Sequence, residues 1–244
     1  MKILIPILPF LFILWLSGCK STENEPEADF YFVQITDTHL GDSAHFARTG
    51  QIIENINKLP YEIEFVVHTG DIFEDNIMTD SIPEKALDMI DDVHSQLFFV
   101  PGNHDILYDN YDSTYNRYMQ YIGYTDAVTM IQGVQCVFAF TGALYDRDIC
   151  CADKVLAEVE NRISNGMPTL LFHHTPCVED FYRNEIHEGW DKFYYDSWVK
   201  LMNKYNVKAV ITGHFHRDEL HWLGDVPLYV ASSIAGYWGR PASY

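Results

Sequence analysis

Short apolar runs alternate with amphipathic helical periods along most of this chain, and that alternation confines it to a small set of folds. Tyr31 to Thr36, Phe65 to Thr69, Leu97 to Val100, Val134 to Phe140, Thr169 to Phe172, Ala209 to Thr212 and Leu228 to Ala231 all have strand length and strand composition. Between them, His45 to Leu59 places Ile52, Ile53, Ile56 and Leu59 on one side of a helix, and Glu84 to Ser95 does the same with Leu87, Ile90 and Val93. Asp153 to Ser164 repeats the pattern with Val155, Leu156, Val159 and Ile163, and Asp191 to Tyr205 with Phe193, Leu201, Met202 and Tyr205. Helices that keep interrupting strands predict an α/β fold whose sheet is at least partly parallel. In such folds ligands gather beyond the carboxyl ends of the strands.

Nearly every predicted strand ends in residues able to hold a metal. The first runs into Asp37-Thr38-His39, the second into Gly70-Asp71, and the third into Gly102-Asn103-His104-Asp105. Later strands run into His173-His174-Thr175-Pro176 and into Gly213-His214-Phe215-His216. Taken singly these are turn residues, since Asp and Gly favour strand-ending loops for backbone reasons alone. Taken in order, five loops would bring carboxylate, carboxamide and imidazole groups to one rim. Such a mixture of oxygen and nitrogen donors suits first-row divalent ions.

In the order D-x-H, G-D, G-N-H-D, H-x-P and G-H-x-H, residues 31 to 216 resemble the calcineurin-like metallophosphoesterase superfamily. The resemblance implies a four-layer α/β sandwich of two mixed β-sheets flanked by helices, with a dinuclear site between the sheet ends. It implies Asp37, His39 and His216 on one metal, Asn103, His174 and His214 on the other, and Asp71 bridging them. The H-x-P spacing selects His174 over its neighbour His173. Two divalent or trivalent ions (Mn, Zn, Fe or Ni) would activate water as a bridging hydroxide for in-line attack on a phosphate mono- or diester. His104, not a ligand in the family pattern, would protonate the leaving alkoxide, with Asp105 either orienting it or forming the turn.

No covalent nucleophile competes with this reading, because the chain has neither a G-x-S-x-G elbow nor a Walker P-loop. Cys177 near the H-x-P motif is a weak candidate. An HD-type phosphohydrolase would need His104 and Asp105 on a helix, yet they follow Pro101-Gly102 in a predicted turn. A non-catalytic surface lipoprotein that kept the fold to bind a ligand is the alternative, and the completeness of the motif set argues against it. Tyr108, Tyr111, Tyr115, Tyr118, Tyr121 and Tyr124 could stack on a base or pack in the core, and Arg183, His187 and Trp190 could line a pocket.

The start of the chain sets the expected compartment. Met1-Lys2, the apolar run Ile3 to Leu16 and Leu16-Ser17-Gly18-Cys19 read as a lipoprotein signal peptide over 1–18. The polar stretch that follows makes 19–28 a flexible tether, leaving 29–244 as one phosphoesterase domain. The expectation is an exported protein held to a bacterial membrane through lipidated Cys19, on the periplasmic or cell-surface side. A net charge of −19 excludes broad attraction to nucleic acid, which needs a basic face, and leaves a small phosphoester as the substrate. Export permits disulfides among Cys136, Cys150, Cys151 and Cys177, but free or buried thiols are expected. The last predicted strand lies close to Tyr244, so a strand of the second sheet could be lacking.

Overall fold

The computed structural model describes residues 30–145, 151–183, 189–190 and 192–236. The signal peptide, Cys19, the tether, Asp29, Cys150, His187, Asp191 and residues 237–244 lie outside them. Two sheets face each other. The smaller holds β1 (Tyr31–Ile35), β2 (Ile63–His68) and β3 (Gln96–Phe99) in that order. The larger holds β4 (Ala127–Ile131), β5 (Val134–Phe138), β6 (Thr169–Phe172), β7 (Val207–Thr212), β8 (Glu219–Leu223) and β9 (Val226–Val230), in the order β4-β5-β6-β7-β9-β8.

Helices α1 (Ser43–Ile56), α2 (Ser81–Ile90) and α3 (Tyr111–Tyr121) supply the apolar layer outside the smaller sheet. The short α4 (Gly142–Tyr145), α5 (Ala152–Ile163) and α6 (Lys192–Lys204) cover the larger one. The result is the four-layer arrangement expected, with one correction. Only the larger sheet is mixed; β1, β2 and β3 are parallel throughout. Each of their connections carries a helix, and a crossover of that kind returns the chain in the same direction.

Mixing in the larger sheet comes from two hairpins whose outer strands, β4 and β8, were not expected from the sequence. The β4–β5 turn is Gln132-Gly133, with both residues at positive φ. That geometry matches strand twist, although Gln-Gly is a weaker signal for it than Asn-Gly. The β8–β9 turn is clamped by α6, where Asn203 Nδ2 donates to the Leu223 carbonyl and Asp225 N–H donates to Asn203 Oδ1 (2.9 Å). β9 therefore lies inside the sheet, between β7 and β8.

Helix boundaries shift for local reasons. Asp42 caps α1, accepting from the backbone of Ala44 (2.8 Å) and His45 (2.9 Å), so the helix begins before His45 and leaves Leu59 outside. The second helix starts at Ser81, with Pro83 in its first turn where a missing N–H costs nothing. On α6 the buried side is Trp198, Leu201 and Met202, and Phe193 is exposed instead of buried. The tyrosine-rich segment is α3: Tyr118 is fully buried, while Tyr111, Tyr115, Tyr121 and Tyr124 pack against the core of the smaller sheet.

What joins the sheets is aromatic. Phe98 stacks on Phe138 (centroids 4.4 Å apart), Phe138 on Phe172 (4.9 Å), and Phe65 meets Phe98 (5.6 Å) and Phe172 (6.0 Å) edge-on. Stacked and edge-to-face pairs add attraction beyond the area that each ring buries. Phe65→Ala should therefore cost about 3–5 kcal/mol. Leu220→Ala, at a position 53% exposed, should stay within about 0.5 kcal/mol. Urea unfolding of both variants checks this, and equal effects would contradict an inter-sheet core centred on Phe65.

Candidate metal centre

Backbone pairing continues past the strand ends and fixes the loops that carry the donors. Asp37 N–H donates to the Gly70 carbonyl (2.9 Å), His39 N–H to Asp71 (3.1 Å), and Gly213 N–H to His174 (3.0 Å). The two sheets are stitched across the same rim. Gln34 Nε2 donates both to Thr69 Oγ1 and to the Thr212 carbonyl (2.8 Å each), and His214 N–H donates to Asp37 Oδ2 (3.0 Å).

Three glycines let these loops approach. A Cβ on Gly102 would lie 2.1 Å from Asp71 Oδ1, one on Gly213 would lie 2.0 Å from Thr36 Oγ1, and one on Gly70 would lie 2.5 Å from the His174 ring. Asp37 (φ 50°), His39 (44°), Asp71 (55°), His214 (72°) and His216 (53°) all adopt the left-handed conformation. For residues other than glycine this costs on the order of 1 kcal/mol each and persists only where surrounding contacts enforce it. Five of the seven expected ligands are strained in this way. Their side chains are thereby turned toward one another at the rim instead of following the strand pleat.

All seven expected ligands and His104 come together there. His174 Nε2 lies 3.1 Å from Asp71 Oδ2 and 3.2 Å from Asn103 Oδ1. His39 Nε2 lies 3.0 Å from His216 Nε2, 3.8 Å from Asp71 Oδ2 and 3.9 Å from Asp37 Oδ1. Three groups each keep their donor atoms within 4.8 Å: Asp37, His39 and His216; Asp71, His174 and His214; and His39, Asp71 and His104.

The other ring nitrogens are held from behind. His174 Nδ1 donates to the Thr69 carbonyl (2.7 Å) and His216 Nδ1 to the Gly236 carbonyl (3.2 Å). His39 Nδ1 sits 2.7 Å from Glu74 Oε2, a close ion-pair distance without hydrogen-bond alignment. This leaves the Nε2 lone pairs facing the centre, as ligating histidines require. Asp37 Oδ1, buried, has no hydrogen-bond partner among the described residues, although His216 Nε2 is 3.3 Å away. Carboxylate oxygens and imidazole nitrogens converging in two adjacent groups, which the third group joins through His39 and Asp71, fit a pair of cations.

Charge follows direction. Burial pushes the Asp37 carboxyl up, but the His216 contact and the other histidines outweigh it and hold the group below the ordinary carboxylate range. Asp71 is held low in the same way, chiefly by His174. Burial works against protonation of His39 and His174. Glu74 and Asp71 reverse this for His39, and Asp71 with Asp37 for His174, so each is pushed up to about 9.

His173 points to the opposite face, with its ring 5.3 Å from Trp190 and 5.4 Å from Trp198, and burial pushes it down to about 3. His68, which the sequence did not single out, is also lowered to about 3 by burial. Gly70 N–H donates to its Nδ1 (3.3 Å), leaving Nε2 to face Thr38 Oγ1 (3.0 Å) as a neutral support beneath the first loop.

Asp105 does not orient His104. It is fully buried and closes its own turn, accepting from Gly102 N–H (2.8 Å) and Phe73 N–H (3.0 Å). The partner is Asp75, whose Oδ1 lies 2.7 Å from His104 Nδ1. Glu74 and Asp75 were missed in the sequence; the one signal was two acids close behind Asp71. Trp190 belongs to the core behind the site, and Arg183 is exposed. Cys177 is 2% exposed and burial raises its thiol, which suits packing and not nucleophilic attack. Cys136 and Cys177 are free thiols.

The architecture is shared with a dimetal phosphatase from Danio rerio, at a TM-score of 0.62 and 12% identity, covering 86% of this chain and 89% of that one. Two sheets that meet at paired His and Asp clusters define a phosphoester hydrolase with a candidate dimetal site. The model of the calcineurin-like phosphoesterase family matches residues 30–218, and the chain belongs to that family. Its relatives include the serine/threonine-protein phosphatase CPPED1 of Danio rerio, 27% identical over 88% of this chain and 79% of the relative. Another is the 3′,5′-cyclic adenosine monophosphate phosphodiesterase CpdA of Escherichia coli, 25% identical over 81% of this chain and 74% of the relative.

With His39 and His174 pushed up to about 9, a cation entering near neutral pH must displace protons. Affinity for Mn²⁺ should rise with pH between 7 and 9 and fall on acidification, by up to about tenfold per pH unit for each proton released. Calorimetric titration in two buffers of different ionisation enthalpy checks this. Heats independent of buffer, with affinity flat in pH, would contradict it.

Proposed function

We propose that this protein hydrolyses small phosphoesters outside the cytoplasm, tethered to a bacterial membrane through Cys19. One observation carries the catalytic part: two donor groups, Asp37-His39-His216 and Asp71-His174-His214, lie side by side on one rim. In this reading Asp37, His39 and His216 hold one ion, Asn103, His174 and His214 the other, and Asp71 stands between them. Mn, Zn, Fe and Ni all suit the donor set. Bound ions supply positive charge that polarises the phosphoryl group and acidifies water.

The chain supplies the rest. His104 is tied to the centre because its backbone N–H donates to Asp71 Oδ1 (2.9 Å). Its Nδ1 rests on Asp75, which leaves Nε2 to deliver a proton to the leaving alkoxide. Asp75 is thus a positioning residue. A phosphatase and a cyclic AMP phosphodiesterase among the relatives support phosphoesters as the substrate class, and make cyclic AMP one of the first to assay.

The test is hydrolysis of chromogenic phosphate mono- and diesters and of cyclic AMP, with and without each metal. His104→Ala should lower kcat by about 10²–10⁴ with metal still bound. Asp71→Asn should lose metal and turnover together. Tight metal binding with no turnover on any ester would instead favour a ligand-binding lipoprotein. The tether rests on Leu16-Ser17-Gly18-Cys19. Cys19→Ser should move the protein from the detergent phase to the aqueous phase on partitioning, and unchanged partitioning would refute lipidation.

A further inference from the structure

The loop that presents Asp37 and His39 is braced by a segment far along the chain. After β9, residues 233–236 turn back across it: Ile234 N–H donates to the Thr36 carbonyl (3.2 Å) and Ala235 N–H to the Asp37 carbonyl (3.0 Å). Ser233 Oγ donates to the same Asp37 carbonyl (2.8 Å) and accepts from Gly236 N–H (3.2 Å). Gly236, at a φ of 100°, in turn offers its carbonyl to His216 Nδ1 (3.2 Å). One buried hydroxyl thus joins the backbone of one metal donor to the group that fixes the ring of another.

Helix α1 holds the segment from outside. Arg48 Nη1 donates to the Ile234 carbonyl (3.2 Å) and to that of Ala235, while the Ile234 side chain is buried in the core of the smaller sheet. These bonds bear on one donor group of the two. Asp37 and His216 belong to the first, whereas in the second Asp71 accepts from His104 N–H and His174 is fixed by the Thr69 carbonyl, both outside the segment. The match to the family model ends at residue 218, so residues 233–236 support the centre in addition to the motif residues.

We infer that Ser233 is a positioning residue that sets the affinity of the Asp37-His39-His216 group for its cation separately from that of Asp71-His174-His214, with Arg48 holding the segment in place. This rests on the dimetal reading above. A ligating histidine needs its other ring nitrogen held so that the lone pair faces the ion. Asp37, at a φ of 50°, keeps its left-handed backbone only while contacts enforce it. Removing the Ser233 hydroxyl loosens both at once, because the Asp37 carbonyl loses a donor and Gly236 N–H loses this acceptor. One ion can therefore be weakened while the other stays bound.

The experiment titrates the full, metal-free chain in detergent micelles with Mn²⁺, following binding by calorimetry and counting bound ions by elemental analysis. The unaltered chain should take up two ions, and His216→Ala marks which binding step belongs to the first donor group. Ser233→Ala should weaken that step by about 10–100-fold and leave the other within about threefold, as loss of support behind a ligand does. Arg48→Met, at a half-buried position on α1, should weaken the same step by about tenfold. It tests the brace from the helix side even if Ser233→Ala fails to fold. Equal weakening of both steps, or of neither, would overturn the inference while leaving the dimetal reading intact. Fewer than two ions bound by the unaltered chain would overturn both.

Discussion

Asp71 is the residue through which the two halves of the molecule act as one. It lies in the loop after β2 of the smaller sheet, yet its Oδ2 meets His174 from the larger sheet at 3.1 Å, and its Oδ1 accepts the backbone N–H of His104 from the loop after β3. His39, from the loop after β1, approaches the same carboxylate at 3.8 Å. Four loops thus depend on one buried group, and the cost of burying it is offset by the positive partners around it. Without the tight approach at Gly102 and Gly70 that carboxylate could not sit so deep. The strained backbone at Asp37, His39, Asp71, His214 and His216 is held by the same convergence, since each loop is fixed by bonds from its neighbours.

This explains why the donor set was readable in the sequence while its surroundings were not. Strand-end position places Asp37, Asp71, Asn103, His174 and His214 beyond carboxyl ends by chain direction alone, and parallel pairing puts those ends on one side. Alternation separated His174 from His173, because neighbours in an extended segment face opposite ways. Nothing in periodicity distinguishes Asp75 from Asp105 as the partner of His104. That choice was made by a turn in which Asp105 satisfies two backbone N–H groups, and by the positive φ of Asp75 (54°). The strands β4 and β8 escaped for a simpler reason: each alternates buried or partly buried with exposed positions at a sheet edge, so neither forms the continuous apolar run that marked the others.

Histidine shows how far direction outweighs composition. His39 and His174 face carboxylates and are pushed up to about 9, whereas His68 and His173 face the interior and fall to about 3. All four are buried, so burial alone cannot divide them. The division is set by whether a carboxylate lies across from the ring. The lowered pair are thereby kept neutral, one bonding beneath the first loop through Thr38 and the other lodged between tryptophans. The raised pair hold their positions by attraction to the carboxylates with which they would share a cation.

The aromatic residues divide in a comparable way, by what stands behind each ring. Phe65, Phe98, Phe138 and Phe172 are enclosed on both sides by the sheets, so their packing resists displacement and sets the distance between the strand ends above them. That distance decides whether His174 can reach Asp71 across the gap, which makes the inter-sheet core part of the site's geometry as well as of its stability. At the rim the same sheets enclose carboxylates and imidazoles instead of phenyl rings. There Tyr145 packs on the core of the larger sheet and meets Tyr108 and His214 with its ring. The spacing that the rings set in the interior therefore carries through to the rim, where buried carboxylates and imidazoles take their place.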